Sequence, residues 1–233
     1  MRMIMLLAVT VILGSSATAW ATSNGQLIER RPYVARPYDS VPELTQMFPR
    51  AEYEQALADT AFTFERCTYF SDGLPVVAYL YGALHTGVRR PTIVFNRGSY
   101  VRGDIGAELL PMFHRLARAG FVVIAPLYRG SDGAPGHDEM GGSDLHDLMN
   151  IVPLAASLAM VDTSRLYLYG ESRGGVMVFE ALREGFPARA AATFGAFTDF
   201  DSLIDADRAR YDRIIPIVWP EFATQHAAIA ESR

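Results

Sequence analysis

The sequence is short of cysteine, of basic excess and of long apolar runs. Its single cysteine, Cys67, excludes an internal disulfide and any metal site built from several cysteines. Lys and Arg number 21 against 26 Asp and Glu, so the net charge of −5 provides no basic field for nucleic acid or an anionic membrane. Charged residues are 20% of the chain and hydrophobic ones 50%, a balance that excludes a disordered or low-complexity protein. The apolar run Met3 to Leu13, interrupted by Thr10, falls well short of the roughly 20 residues that span a bilayer. It follows Arg2 and precedes the small residues Ala17, Ala19 and Ala21, the order found in a secretory leader. The sequence predicts a signal peptide over residues 1–21, export to a periplasm or the cell exterior, and no membrane attachment after cleavage.

What is present is an alternation of strands and helices. Residues 22–60 carry Pro32, Pro37, Pro42 and Pro49 with no apolar period, and read as an extended lead-in with one short helix from Ala51 to Asp59. Two strand patterns, Ala61 to Phe70 and Leu74 to Tyr81, flank Asp72-Gly73, a hairpin signal because both turn positions favour positive φ. The order then becomes strand (Ile93 to Asn96), helix (Ala107 to Arg118, stopped by Gly120) and strand (Phe121 to Ala125). A polar loop runs from Tyr128 to Gly142. Ser143 is placed to cap a helix whose apolar residues Leu145, Leu148, Met149 and Val152 recur at helical spacing. Strand Arg165 to Tyr169, helix Val176 to Arg183 and strand Ala190 to Phe197 follow. Such alternation predicts an α/β fold: a mostly parallel sheet with helices on both faces and an antiparallel hairpin at one edge. Residues 61–233 form the one domain expected.

The chemical signal is Gly170-Glu171-Ser172-Arg173-Gly174, set between a strand and a helix. A serine on so sharp a turn projects from the carboxyl edge of the sheet, and the flanking glycines avoid Cβ clashes in the crowded turn. The backbone N–H of Arg173, at the helix start, can then face an oxyanion. A second donor is expected after the earlier strand, from the backbone N–H of Arg97 or Gly98 or from the Asn96 side chain; spacing does not choose among them.

Four runs in order, Phe95-Asn-Arg-Gly-Ser, Tyr128-Arg-Gly-Ser-Asp-Gly, Gly141-Gly-Ser-Asp-Leu-His-Asp and Gly170-Glu-Ser-Arg-Gly-Gly, resemble the catalytic domain of the prolyl oligopeptidase family. These are serine peptidases of α/β-hydrolase fold, and the likeness covers roughly residues 62–200. The resemblance implies Ser172 as nucleophile, Arg173 with the Asn96–Arg97 region as oxyanion hole, and Tyr128-Arg129-Gly130 as the loop beside the site. It implies a peptide substrate, or a carboxylic ester as the alternative, with no metal and no cofactor.

A serine needs a histidine to take its proton and an acid to orient that histidine, in the chain order Ser, Asp or Glu, His. After Ser172 the sole histidine is His226, preceded by Asp199, Asp201, Asp205, Asp207, Asp212 and Glu221. Pro216 argues against a central strand over Ile214 to Trp219, and the separation of five positions from Glu221 to His226 is too short for a crossover. The resemblance therefore implies an acid and a histidine later than Arg233, a domain incomplete at its C-terminus, and an exposed sheet edge prone to self-association. A second reading is a hydrolase-like module without catalysis. Of the earlier histidines, His85, His114, His137 and His146 precede Ser172 and lack the expected order. His137-Asp138-Glu139 reads as a solvated loop without metal spacing, and Cys67 as a small buried hydrophobe.

Overall fold

A computed structural model of the chain describes residues 23–99, 103–199, 204–209 and 211–213. The predicted leader, Glu221 and His226 lie outside them. The elements are strand β1 (Leu27–Pro32), helices α1 (Pro42–Met47) and α2 (Arg50–Ala58), strands β2 (Thr63–Ser71), β3 (Leu74–Gly82) and β4 (Arg90–Asn96), helix α3 (Gly106–Arg118) and strand β5 (Val122–Pro126). Helices α4 (Leu145–Met149) and α5 (Ile151–Ser157), strand β6 (Val161–Glu171), helix α6 (Arg173–Arg183) and strand β7 (Ala190–Phe194) complete them.

The seven strands form one sheet in the order β1-β2-β3-β5-β4-β6-β7. The first four neighbours pair antiparallel, and β5, β4, β6 and β7 pair parallel. Alternate residues of the central strands go to opposite faces, so each strand is apolar on both. Val94, Val122, Ile124, Leu166 and Leu168 pack beneath Leu148, Ile151, Leu154, Met177 and Val178 of α4 to α6. Ile93, Phe95, Val123 and Ala125 face Leu44, Tyr53, Leu110 and Phe113 of α1 to α3. Tyr167 and Tyr169 lie partly buried against that second layer. Burying a Val, Leu, Ile or Phe side chain contributes about 1.5–3 kcal/mol, so the two layers carry most of the stability. Cys67 is buried in the first layer, and desolvation pushes its thiol up to about 12, which leaves it unreactive.

The lead-in holds more structure than the sequence indicates. Leu27–Pro32 pairs antiparallel with β2, from Leu27 opposite Tyr69 to Pro32 opposite Glu65, across an irregularity between Leu27 and Glu29. Leu-Ile-Glu-Arg-Arg-Pro lacks an alternating pattern because an edge strand buries little, and a terminal proline is tolerated there. The helix expected around Leu145 to Val152 is broken at Asn150 into α4 and α5. Pro153 supplies no N–H to Met149, so the first helix cannot run on. Ser143 does not cap it: its N–H and hydroxyl both donate to Glu139, at 2.6 and 2.8 Å.

The topology sets the site. From β4 the chain crosses to β5 on one side, then returns to β6 on the other. The loops leaving the carboxyl ends of β4 and β6 therefore diverge, and open α/β sheets bind ligands in the crevice at such a switch point.

Candidate active site

Ser172 sits in that crevice. It joins β6 to α6 with φ 49° and ψ −118°, a conformation a non-glycine residue holds only under constraint from its surroundings. The constraints are visible. The Ser172 N–H donates to the Phe194 carbonyl at 2.8 Å, tying the turn to β7, and Gly175 N–H donates to the Ser172 carbonyl at 2.9 Å. A Cβ on Gly170 would collide with the Gly174 carbonyl, and one on Gly174 with the carbonyls of Asn96 and Arg97. The serine itself is exposed. Among the described residues no group hydrogen-bonds its hydroxyl.

The segment after β4 lies directly against this turn. Asn96 pairs with Gly170 in the parallel register. A Cβ on Gly98 would stand 3.2 Å from the Glu171 carbonyl oxygen and 3.4 Å from the Ser172 Cβ. Residues 96–98 and 171–174 are thus brought together, as the two halves of an oxyanion hole require. Arg173 opens α6, where a first-turn N–H has no intrahelical acceptor by position. The Asn96 carboxamide is occupied inside the sheet: its NH2 donates to the Val94 and Tyr169 carbonyls, both at 3.1 Å, and its Oδ1 accepts from the Tyr128 hydroxyl at 2.9 Å. With both amide hydrogens engaged, the Asn96 side chain has none left to donate to an oxyanion.

The side chains of Arg97 and Arg173 turn inward, away from solvent. Both guanidinium groups meet the carboxylate of Asp138, Arg97 Nη2 at 2.9 Å and Arg173 Nη2 at 2.5 Å, and Arg173 also pairs with Asp144. Both stack on the ring of Tyr128, with Cζ 5.2 and 4.2 Å from its centroid. All four charged side chains are at most 2% exposed. Desolvation lowers the pKa of Arg97, whereas for Arg173 the neighbouring Asp138 and Asp144 outweigh desolvation and raise it. Burial raises that of Asp144. The expected solvated loop at 137–139 is therefore corrected at Asp138, which is buried because two arginines distant in sequence neutralise and hydrogen-bond it.

Tyr128 itself lies in the left-handed region, φ 67°, fully buried. The next residue anchors the same loop to the hairpin. The Arg129 guanidinium pairs with Asp147 at 2.7 Å and Asp72 at 2.9 Å, and the Arg129 N–H donates to Asp147 at 2.7 Å. The Glu171 carboxyl, half-buried beside the serine, is pushed up by desolvation, with the Tyr169 hydroxyl donating at 3.3 Å.

Three of the four early histidines serve other carboxylates. His85 pairs with Glu65, His114 with Asp59 and His146 with Asp72. No histidine among the described residues reaches Ser172 with a hydrogen bond. Asp138, Asp144 and Tyr128 as a buried ionic cluster escape a reading by period or motif, because nothing local distinguishes a buried aspartate in a glycine-rich loop from a solvated one.

Known proteins resemble this chain in sequence and in fold. Residues 111–214 match the prolyl oligopeptidase family model. A chain of Bacillus subtilis (strain 168) described as "Uncharacterized peptidase YtmA" is 30% identical over 135 residues, 56% of this chain and 50% of that one. Among solved structures, the cell wall degrading esterase LipA of Xanthomonas oryzae aligns with a TM-score of 0.53 at 16% identity, covering 73% of this chain and 50% of that one. A puromycin-hydrolyzing peptidase of Mycobacterium tuberculosis aligns with a TM-score of 0.52 at 22% identity, covering 64% and 25%. The chain spans about half the length of the curated relatives it matches. The family and these neighbours are hydrolases, peptidases and an esterase among them. Residues 111–214, which hold the strained Ser172 turn, are thus similar to the prolyl oligopeptidase family, on an α/β-hydrolase fold.

Proposed function

We propose that this chain carries the nucleophile and oxyanion-binding half of a serine hydrolase that cleaves peptide bonds through an acyl-enzyme on Ser172. The observation that supports this most is the exposed serine held at φ 49° between two colliding glycine positions, against the segment after β4. In the proposed reaction the Ser172 hydroxyl oxygen attacks the scissile carbonyl and its proton passes to a base. The carbonyl oxygen becomes an oxyanion facing the Arg173 N–H and an N–H after β4. Collapse expels the amine, which takes up the proton, and water then releases the acid from Ser172. The base belongs to a histidine outside the described residues.

The test is the reaction of the whole protein, its catalytic histidine included, with a fluorophosphonate, the adduct being located by peptide mass mapping. A stoichiometric adduct on Ser172 is expected. Folded protein that forms none overturns the reading in favour of a module without catalysis. Cleavage of a peptide bond is the second expected result, and hydrolysis of a carboxylic ester with no cleavage of the amide of the same acyl group assigns an esterase.

Export is proposed on the leader alone: secretion-competent cells are expected to export protein beginning at Thr22, and protein retained in the cytoplasm with Met1 intact would reject it. Self-association is proposed on β7. Among the described residues Ala190–Phe194 is an edge strand with all five residues exposed, Phe194 to 73%, and no charge to discourage pairing. Sedimentation velocity is expected to show association that rises with concentration and falls in Ala191→Lys. A monomer at every concentration would rule it out.

A further inference from the structure

The two backbone segments that face the oxyanion come from loops about 75 residues apart in sequence. Main-chain packing brings them together, and the glycine contacts show how closely. Yet a cradle for a developing charge must hold to within about 0.5 Å, and packing between two loops does not by itself fix both. The side chains supply a second set of ties. Arg97 and Arg173, the residues that bear the expected donors, reach the same buried carboxylate, one on each oxygen: Arg97 Nη2 on Asp138 Oδ2 and Arg173 Nη2 on Asp138 Oδ1. Both also lie over the Tyr128 ring. Arg97 Nη2 further donates to the Leu127 carbonyl and the Ser131 hydroxyl, each at 2.8 Å, so the first residues of the polar loop are included. Nε and Nη1 of Arg173 have no hydrogen-bond partner among the described residues, which leaves Asp138, Asp144 and the ring face as what holds this guanidinium there. Few alternatives exist for it if Asp138 is lost.

We propose that Asp138 is a positioning residue, a buried bridge that holds the backbone after β4 in register with the start of α6 through Arg97 and Arg173. The proposal rests on the reading of Ser172 as nucleophile and deepens it. Asp138 touches neither substrate nor the reacting atoms. It acts by keeping two N–H vectors convergent, which matters more as charge develops on the bound carbonyl than when substrate first docks. The expected kinetic signature is a fall in the acylation step with little change in substrate binding. Because Asp138 bonds to both arginines at once, losing it should uncouple the two segments from each other, while Arg97 keeps its bonds to the Leu127 carbonyl and the Ser131 hydroxyl. Losing Asp144, which pairs with Arg173, should loosen the start of α6 alone.

The test compares Asp138→Asn with Asp147→Asn. Asp147 is an equally buried carboxylate, but it serves Arg129 and contacts neither Arg97 nor Arg173. Each variant is measured for thermal unfolding, for the second-order rate of fluorophosphonate labelling, and for hydrogen exchange of the Gly98 and Arg173 amides. Asp138→Asn is expected to slow labelling at least 10-fold by lowering the limiting rate rather than reagent affinity, and to speed exchange at both amides together. Asp147→Asn, at a similar loss of melting temperature, is expected to retain labelling within about threefold of the original rate. Equal losses in the two variants, or unchanged exchange at Gly98 in Asp138→Asn, overturn the bridge while leaving the nucleophile assignment intact. If the unsubstituted chain is not labelled at all, the nucleophile assignment fails, and joint acceleration of the two amides alone decides for the bridge. Should Asp138→Asn not fold, Asp138→Glu, which keeps the charge but lengthens the arm, is expected to fold and to show the same labelling defect; full labelling in it would overturn the proposal.

Discussion

Replacing Ser172 with alanine is expected to reduce fluorophosphonate labelling at least about 1000-fold, as loss of a sole nucleophile does, and to leave the melting temperature nearly unchanged. The two halves of that result have separate causes. The chemistry is lost because no other hydroxyl occupies the turn. The stability persists because alanine keeps the Cβ, and with it the strain of φ 49°, while the lost hydroxyl is exposed and has no partner among the described residues. Surface changes of that kind stay within about 0.5 kcal/mol. Ser172→Gly separates strain from chemistry. It is equally unreactive, but it relieves backbone strain of about 1–3 kcal/mol against about 0.5–1 kcal/mol of extra freedom in the unfolded chain. A net gain near 1 kcal/mol raises the melting temperature by about 2–4 °C for a chain of this size. A glycine variant that melts no higher than the alanine variant would show that the turn is not strained. Labelling that survives in Ser172→Ala would place the nucleophile elsewhere.

Gly174→Ala is expected to cost about 3–5 kcal/mol, among the larger losses that one methyl group can cause. The new Cβ would collide with the Asn96 carbonyl and stand 2.7 Å from the Arg97 carbonyl oxygen. These are backbone atoms of β4 and its loop, so no side chain can swing aside. Relief requires α6 to move off the sheet, which gives up packing by Met177, Val178 and Ala181 and separates the two oxyanion segments. Labelling should be lost along with stability. Gly185 provides the contrast. An added Cβ there meets nothing within 4 Å, so Gly185→Ala carries only the conformational penalty of φ 82°, about 1 kcal/mol. Melting curves of the two variants test the claim, and similar losses would deny that the close approach at Gly174 matters.

Much of the fold was legible before any coordinates. Phe121 to Ala125 is apolar on consecutive residues and is a central strand, as a buried parallel strand demands. Asp72-Gly73 marked its hairpin, and both residues hold positive φ. The departures are at places where a local pattern competes with a partner elsewhere. Leu27–Pro32 is a strand because the β2 edge offers it hydrogen bonds, not because its residues alternate. Ser143 follows the rule for a helix cap, yet Glu139 captures it.

The sequence by itself determined the strands from β2 to β7, their order along the chain, the family likeness and the strand-to-helix turn at Ser172, because these are written in local patterns of residues. The tertiary structure alone decided that Asp138 is buried and bridges Arg97 and Arg173, from 41 residues before it and 35 after it. Whether a charged residue is solvated or buried depends on which counter-charges the fold brings to it. Burial of a lone carboxylate is prohibitive, while burial between two guanidinium groups is tolerated. No local pattern in a glycine-rich loop contains that information.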